Sequence, residues 1–91
     1  MTPTREQLEL AAKAAGYKPN IWYPVTDKSD SFDLMVACGI ELMYFDDHVS
    51  AHSDFLMGIS FCVDLKEHNN DKGLATMWAV FLCAVEIGRA M

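Results

Sequence analysis

The chain has 91 residues, 52% of them apolar, and its seven basic and thirteen acidic side chains give a formal net charge of −6. A chain of this length forms a single domain, residues 1–91, that buries only about 60–65% of its unfolded surface. Phosphate backbones are bound by Lys and Arg, so the acidic balance argues against direct binding to nucleic acid. The apolar fraction exceeds the usual ~45–50%. This excess indicates either a dense core or a surface shared with a second copy, so a homo-oligomer is one of two expectations.

The cysteines Cys38, Cys62 and Cys83 are odd in number and form no C-x-x-C pair, so neither a zinc ribbon nor a dithiol redox motif is encoded. Each lies in an apolar run, where a free cysteine behaves as a small hydrophobic residue. Free thiols are typical of a reducing compartment, and the N-terminus lacks an apolar signal core, so we expect a cytoplasmic protein. The apolar stretch 74–87 is shorter than a bilayer span, so it predicts a buried helix and no membrane contact.

The first predicted element is a helix over residues 3–15. Thr2 and Pro3 suit the N-cap and the first helical position. The apolar face of this helix is rich in alanine, which allows a close approach to a neighbour, and Gly16 supplies the stop. A short extended piece is predicted at 20–23.

A second helix is predicted over residues 29–38, after a turn at 24–28. Either Asp27 or Ser29 caps its start, and Gly39 ends it. Three apolar residues at helical spacing are expected to face the core. These are Phe32, Met35 and Val36.

Two strands are predicted next, over about 40–46 and 55–66, as an antiparallel hairpin. In the second strand the odd-numbered positions are apolar, and the even-numbered positions from 58 onward are small or polar. The polar segment 47–54 between the strands is predicted to be a wide connecting loop. One apolar face on such a hairpin requires a helical layer over it.

The last predicted element is a helix over about 73–90, capped by Asp71. Its apolar stripe is so wide that we expect contacts on more than one side. The sum is an α+β fold, in which a small antiparallel sheet is covered by helices.

Residues 22–27 read W-Y-P-V-T-D and are followed by D-S-F-D-L at 30–34. This pattern resembles a motif of small bacteriophage proteins, in which a W-x-P-L-T-D turn leads into a helix reading roughly D-A-x-x-L. Here Val25 replaces the usual leucine. With the hairpin and the Ala/Cys-rich last helix, the chain is similar over about 20–90 to the phage ABA-sandwich or NinX-like accessory proteins. The resemblance implies a phage origin and a layered α-β-β-α arrangement, and it carries over no catalytic residue.

The aromatic pair Trp22 and Tyr23 opens this motif. Trp22 is predicted to anchor the turn by packing its indole on the sheet edge. The alternative is that Trp22 and Tyr23 are aromatic contacts for a ligand or partner.

Two histidines and three carboxylates surround the predicted loop, and such groups can supply nitrogen and oxygen ligands to a divalent ion. They are Asp46, Asp47, His48, His52 and Asp54. A loop without a fixed scaffold does not set ligand geometry, so a solvated acidic loop is the favoured interpretation. No metal or other cofactor is expected, and His48 and His52 are the candidates if one binds.

No nucleophile elbow, P-loop or dinucleotide fingerprint occurs in the sequence. The cysteines lie in apolar segments, which blunt thiol reactivity. The sequence therefore predicts no enzyme activity.

We predict instead a phage accessory protein that acts in the host-cell cytoplasm by binding and inhibiting a host or anti-phage defence protein complex. A small acidic protein is electrostatically suited to the basic nucleic-acid channels of such complexes. The predicted partner-binding residues lie near strand ends and connections. They are Asp46, Asp47, Asp54, Asp64, Glu67 and Asp71. The alternative is an oligomer that sequesters a small ligand, a nucleotide or a metal.

Overall fold

The predicted α+β class is confirmed by a computed structural model that describes residues 2–16, 22–54 and 58–91. The helices are α1 (Arg5–Ala15), α2 (Lys28–Cys38) and α3 (Lys72–Ala90). The strands are β1 (Ile40–Tyr44), β2 (His48–Ser53) and β3 (Ile59–Asp64), and a 3-10 turn at Leu65–His68 leads into α3. The strands form an antiparallel sheet in the order β1-β2-β3. α3 lies on one face of this sheet, and α1 and α2 pack against α3.

The central strand β2 departs from the sequence prediction. The pattern predicts a connecting loop over 47–54, and this prediction is wrong because residues 48–53 pair with β1 on one side and β3 on the other. Val49, Ala51 and Ser53 alternate into the core. Ala51 and Ser53 are small and Ser53 is also polar, so the alternation carries little hydrophobic signal in the sequence.

The flanking strands are shorter than predicted. β1 ends at Tyr44 rather than at position 46, and β3 begins at Ile59. The apolar face predicted for the second strand is confirmed at 59, 61, 63 and 65, which are buried or half-buried. Positions 55–57 of that prediction lie outside the described residues. Cys62 is exposed, because it lies with the small and polar even-numbered positions on the opposite face of β3.

α3 is the core helix of the protein. Ten of its residues are buried, and it contacts α1, α2 and the sheet, which confirms the predicted contacts on more than one side. By length and composition alone α3 could cross a membrane, but 56% of that segment is buried inside the protein. The predicted cap is also confirmed, since the Asp71 carboxylate accepts the N–H of Leu74 at 3.1 Å.

α1 begins two residues later than predicted. Thr4, rather than Thr2, is the N-cap, because its hydroxyl accepts the N–H of Gln7 at 3.0 Å. The Gln7 side chain accepts the Thr4 N–H in return at 2.9 Å, which completes a capping box. Gly16 ends the helix in the left-handed conformation, as predicted.

α2 presents a different face to the core from the one predicted. Phe32 and Val36 are 59% and 61% exposed, whereas Ser31, Leu34 and Cys38 are buried. The hydrophobic pattern is misleading because the buried Ser31 is polar and the buried Cys38 is only weakly apolar. The cap is Asp27, whose carboxylate accepts the N–H groups of Ser29 and Asp30 at 2.8 and 3.1 Å.

Candidate functional site

The acidic residues predicted for partner binding are divided between two ends of the sheet. Asp46 and Asp47 lie in the turn between β1 and β2, and Asp64 is paired with His48 at the same end. Asp54 follows the other end of β2, and a six-residue strand spans roughly 20 Å. The structure therefore brings Asp46, Asp47 and Asp64 together and leaves Asp54 apart.

The remaining two acidic residues lie beyond β3. Glu67 is exposed in the 3-10 turn. Asp71 is exposed as well, but its carboxylate is already engaged as the cap of α3. Its first role is therefore structural.

The β1–β2 corner, which we define as residues 43–47, exposes five consecutive side chains. Three of them are large and apolar. Met43, Tyr44 and Phe45 are 61%, 50% and 43% exposed. The two carboxylates Asp46 and Asp47 follow directly, so the corner combines apolar contact area with negative charge.

His48 holds this corner in one conformation. Its ring stacks on that of Phe45 with centroids 4.4 Å apart and planes 9° from parallel. Its Nδ1 lies 2.6 Å from Oδ1 of Asp47, and its backbone carbonyl accepts the Phe45 N–H at 2.9 Å. The hydrogen bond with His48 lowers the pKa of the Asp47 carboxyl below its usual value.

The second histidine lies at the opposite end of the same sheet face. His52 Nε2 is 3.0 Å from Asp54 Oδ1, and its Nδ1 is 2.8 Å from the Ser60 hydroxyl. One consistent assignment has Nε2–H donating to the carboxylate and Nδ1 accepting from the serine. The Asp54 side chain is 93% exposed, whereas activation of a serine nucleophile relies on a water-excluding site with oxyanion donors. We therefore assign these bonds to orienting His52.

The two histidines do not converge on one metal ion. They lie four residues apart on a strand, about 13 Å, and each is engaged with its own carboxylate. Within the described residues, no three potential metal-ligating side chains are grouped closely enough to hold an ion.

An apolar slot of about 290 Å³ opens between α2, β1 and α3. It exists because α3 lies mainly over β2 and β3, so the helix leaves the inner face of the edge strand β1 incompletely covered. Leu42 is half-buried and Tyr44 is exposed, whereas their cross-strand partners Ala51 and Val49 are fully buried. The apolar part of the lining consists of Phe32, Met35, Leu42, Met77 and Val80.

The slot is polar at one end and apolar at the other. α2 turns back into β1 at Gly39, so the start of α2 lies beside the end of β1. A 2.9 Å hydrogen bond between Tyr44 and Thr76 brings the start of α3 to the same end. Lys28 and Gly73 line this polar end. Met35 and Val80 line the apolar end. They lie seven helical residues after Lys28 and Gly73, respectively, so the two ends of the slot are about 10 Å apart.

Two hydroxyl groups define the hydrogen-bonding character of the slot. The Thr76 hydroxyl donates its one proton to the Lys72 carbonyl at 2.7 Å, so the Tyr44 hydroxyl is the donor to Thr76. Ser31 also lines the slot and is 5% exposed. Its hydroxyl has no hydrogen-bond partner among the residues that the structure describes.

The two aromatic residues of the motif, Trp22 and Tyr23, differ in exposure. Trp22 is buried in the core, 9% exposed, and its indole N–H finds no partner within the described ranges. Tyr23 is 59% exposed and its N–H donates to Asp30 at 2.8 Å. Only Tyr23 of the two is therefore accessible to a partner.

Neither the slot nor the corner is predicted as a unit by the sequence. The pattern assigns Phe32 to the core and residues 47–54 to a loop. The sequence does place Tyr44 and Phe45 directly before Asp46 and Asp47. Aromatic residues next to charged ones at a chain reversal are unusual for a buried strand, so this is the signal from which the corner could have been predicted.

Comparisons with family models, with curated proteins and with solved structures gave no match. The resemblance to phage accessory proteins therefore stays a prediction from residues 22–34. The fold and its exposed features define a small α+β protein with an aromatic and acidic corner and an apolar slot that adjoins it at Tyr44.

Proposed function

We propose that this chain is a non-enzymatic phage accessory protein that binds and inhibits a host or defence protein complex, and that the β1–β2 corner contacts the partner. The observation that carries the proposal is the run of five exposed residues from Met43 to Asp47. The phage context is supported by the sequence resemblance alone. The proposal includes a location in the host cytoplasm.

Aromatic residues are the usual anchors of protein interfaces, because each buries a large area with few rotatable bonds. Tyr44 and Phe45 offer such area at the corner. The stack of Phe45 on His48 fixes one ring in advance. Less conformational entropy is then lost on binding.

The carboxylates beside these rings favour a basic partner. Asp46 and Asp47 belong to the corner, and Asp64 adds charge at the same end of the sheet. With a net charge of −6 on the whole chain, electrostatic attraction accelerates encounter with a positive surface. The expected partner surface is an apolar pocket with basic residues at its rim.

The test is affinity purification of the tagged protein from phage-infected cells, followed by mass spectrometry. Wild type is compared with Phe45→Ser and with the charge reversal Asp46→Lys/Asp47→Lys. Asp54→Lys is the matched control, because it makes a charge reversal at the far end of the sheet. The corner variants are expected to lose the captured protein, and the control is expected to keep it.

A partner that binds the corner variants as strongly as wild type would show that the contact lies elsewhere. Circular dichroism of each variant establishes that the fold is retained. The salt dependence of partner binding is a second measurement, since charges at the rim of an interface act mainly on the association rate.

A further inference from the structure

We propose that the slot between α2, β1 and α3 binds a small amphipathic carboxylate, with the carboxylate at the Lys28 end and the hydrocarbon part at the Val80 end. This inference goes beyond the proposed function, because it concerns a different class of ligand and a slot that shares only Tyr44 with the corner. Three features of the slot lead to it.

The first feature is the size and chemistry of the apolar end. The slot has a volume of about 290 Å³, near the lower end of the ~300–1,000 Å³ that is usual for small-ligand pockets. Met35, Leu42 and Val80 line this end. A short hydrocarbon chain matches its size and apolar lining.

The second feature is a pair of hydrogen-bond donors at the polar end. Lys28 lines this end and carries a formal positive charge. Gly73 is the second residue of α3, a helix of 19 residues, and the first N–H groups of a helix have no acceptor within it. Asp71 accepts the N–H groups of Leu74 and Ala75. The N–H of Gly73 has no partner among the described residues.

The third feature is the buried hydroxyl of Ser31. It lies three residues after Lys28, hence on the same side of α2, and it lines the slot at 5% exposure. Among the described residues only Trp22 Nε1 is a fully enclosed polar side-chain atom without a partner, so the Ser31 oxygen is still accessible from the slot. Within the part of the chain that the structure describes it has no partner, and a ligand oxygen would supply one.

These features select a carboxylate over related ligands. A primary ammonium group would meet Lys28 with like charge and would offer no acceptor to the Gly73 N–H. An alcohol of equal length would fill the apolar end and pair with Ser31, but it would leave the cation without a counter-charge. A carboxylate satisfies the charge and the hydroxyl together.

The test uses octanoate, octan-1-ol and octylamine as probes of equal chain length, with the full chain at pH 7. Thermal unfolding and calorimetry measure binding, since a ligand that prefers the native state raises Tm. Octanoate is expected to raise Tm and release heat, octanol to bind more weakly, and octylamine to give no shift. Lys28→Met is expected to weaken octanoate about tenfold or more, because a hydrogen bond to a charged group is lost.

Matched variants establish whether octanoate binds in the slot or elsewhere on the protein. Ser31→Ala is expected to weaken octanoate while keeping the fold, and Lys66→Met removes a charge outside the slot and should bind like wild type. Phe45→Ser at the corner should also bind normally, so failure here and failure of the protein-binding proposal are distinguishable. Absence of any shift with octanoate would overturn the inference. An equal loss in Lys66→Met, or an equal shift with octylamine, would do so too.

Discussion

Gly88 of α3 lies directly against the backbone of Leu10 in α1. A Cβ atom on Gly88 would come within 2.7 Å of the Leu10 carbonyl carbon, and closer still to its oxygen. The two helices therefore meet backbone to backbone. The buried Ala11 and Ala12 of α1 permit the same close approach, as the alanine-rich face predicts.

Gly88→Ala is expected to destabilise the protein by about 1–3 kcal/mol, since the clash is with backbone atoms that cannot rotate away. Urea unfolding measures the change. Gly73→Ala is the control, because its added Cβ would meet only the Asp71 carboxylate at 3.4 Å. The better helix propensity of alanine should leave that variant equal to wild type or up to ~1 kcal/mol more stable. Equal losses in both variants would contradict the close packing.

Leu34→Ala tests which face of α2 is buried. Leu34 is fully buried, so its truncation is expected to lower the free energy of unfolding by about 2–5 kcal/mol. Phe32 is 59% exposed, so Phe32→Ala should cost much less despite removing a larger side chain. Chemical denaturation of both variants makes the comparison. The reverse order of stabilities would restore the face predicted from the sequence.

Asp27→Ala removes the cap of α2. The carboxylate accepts two backbone N–H groups, and loss of such a cap is expected to cost about 0.5–2 kcal/mol. Asp33→Ala is the control, since Asp33 is an exposed position in the same helix. Thermal unfolding should show a lower Tm for the first variant and little change for the second. A Tm for Asp27→Ala equal to that of wild type would contradict the role of the cap.

The Asp47 carboxyl should titrate below its ordinary value of about 3.9, because His48 stabilises the ionised form. The stability that this bond contributes is therefore complete above that pH and is lost as the pH falls through the lower folded-state pKa. His48→Ala is expected to raise the pKa of Asp47, and His52→Ala to leave it unchanged. NMR of the side-chain carboxyl carbon follows both titrations, and an unaltered midpoint in His48→Ala would refute the assigned cause.

The three thiols should differ sharply in reactivity. Burial raises the pKa of Cys38 and Cys83 to about 11, and both are shielded, whereas Cys62 is exposed. A thiol reagent at pH 8 is expected to modify one cysteine in the native protein and three after unfolding in urea. In Cys62→Ser the fast reaction should vanish. Rapid modification of more than one native thiol would show that the core opens readily.

Local signals in the sequence determined the helix boundaries to within two residues. Asp27 and Asp71 cap helices because a short carboxylate reaches the first free N–H groups. Gly16 and Gly39 end helices because they adopt positive φ. These interactions involve residues close in sequence, so the pattern alone predicts them.

Only the tertiary structure decided where the candidate sites lie. Residues 48–53 become a central strand because two neighbours pair with them, and nothing local requires it. Phe32 is turned outward because Leu34 fills the core instead. The slot depends on the second outcome, since it is formed by residues distant in sequence. The corner consists of consecutive residues, but it becomes a tight chain reversal only because β2 pairs with β1. Composition determined that the chain would be acidic and rich in apolar residues; packing decided which of those residues face outward.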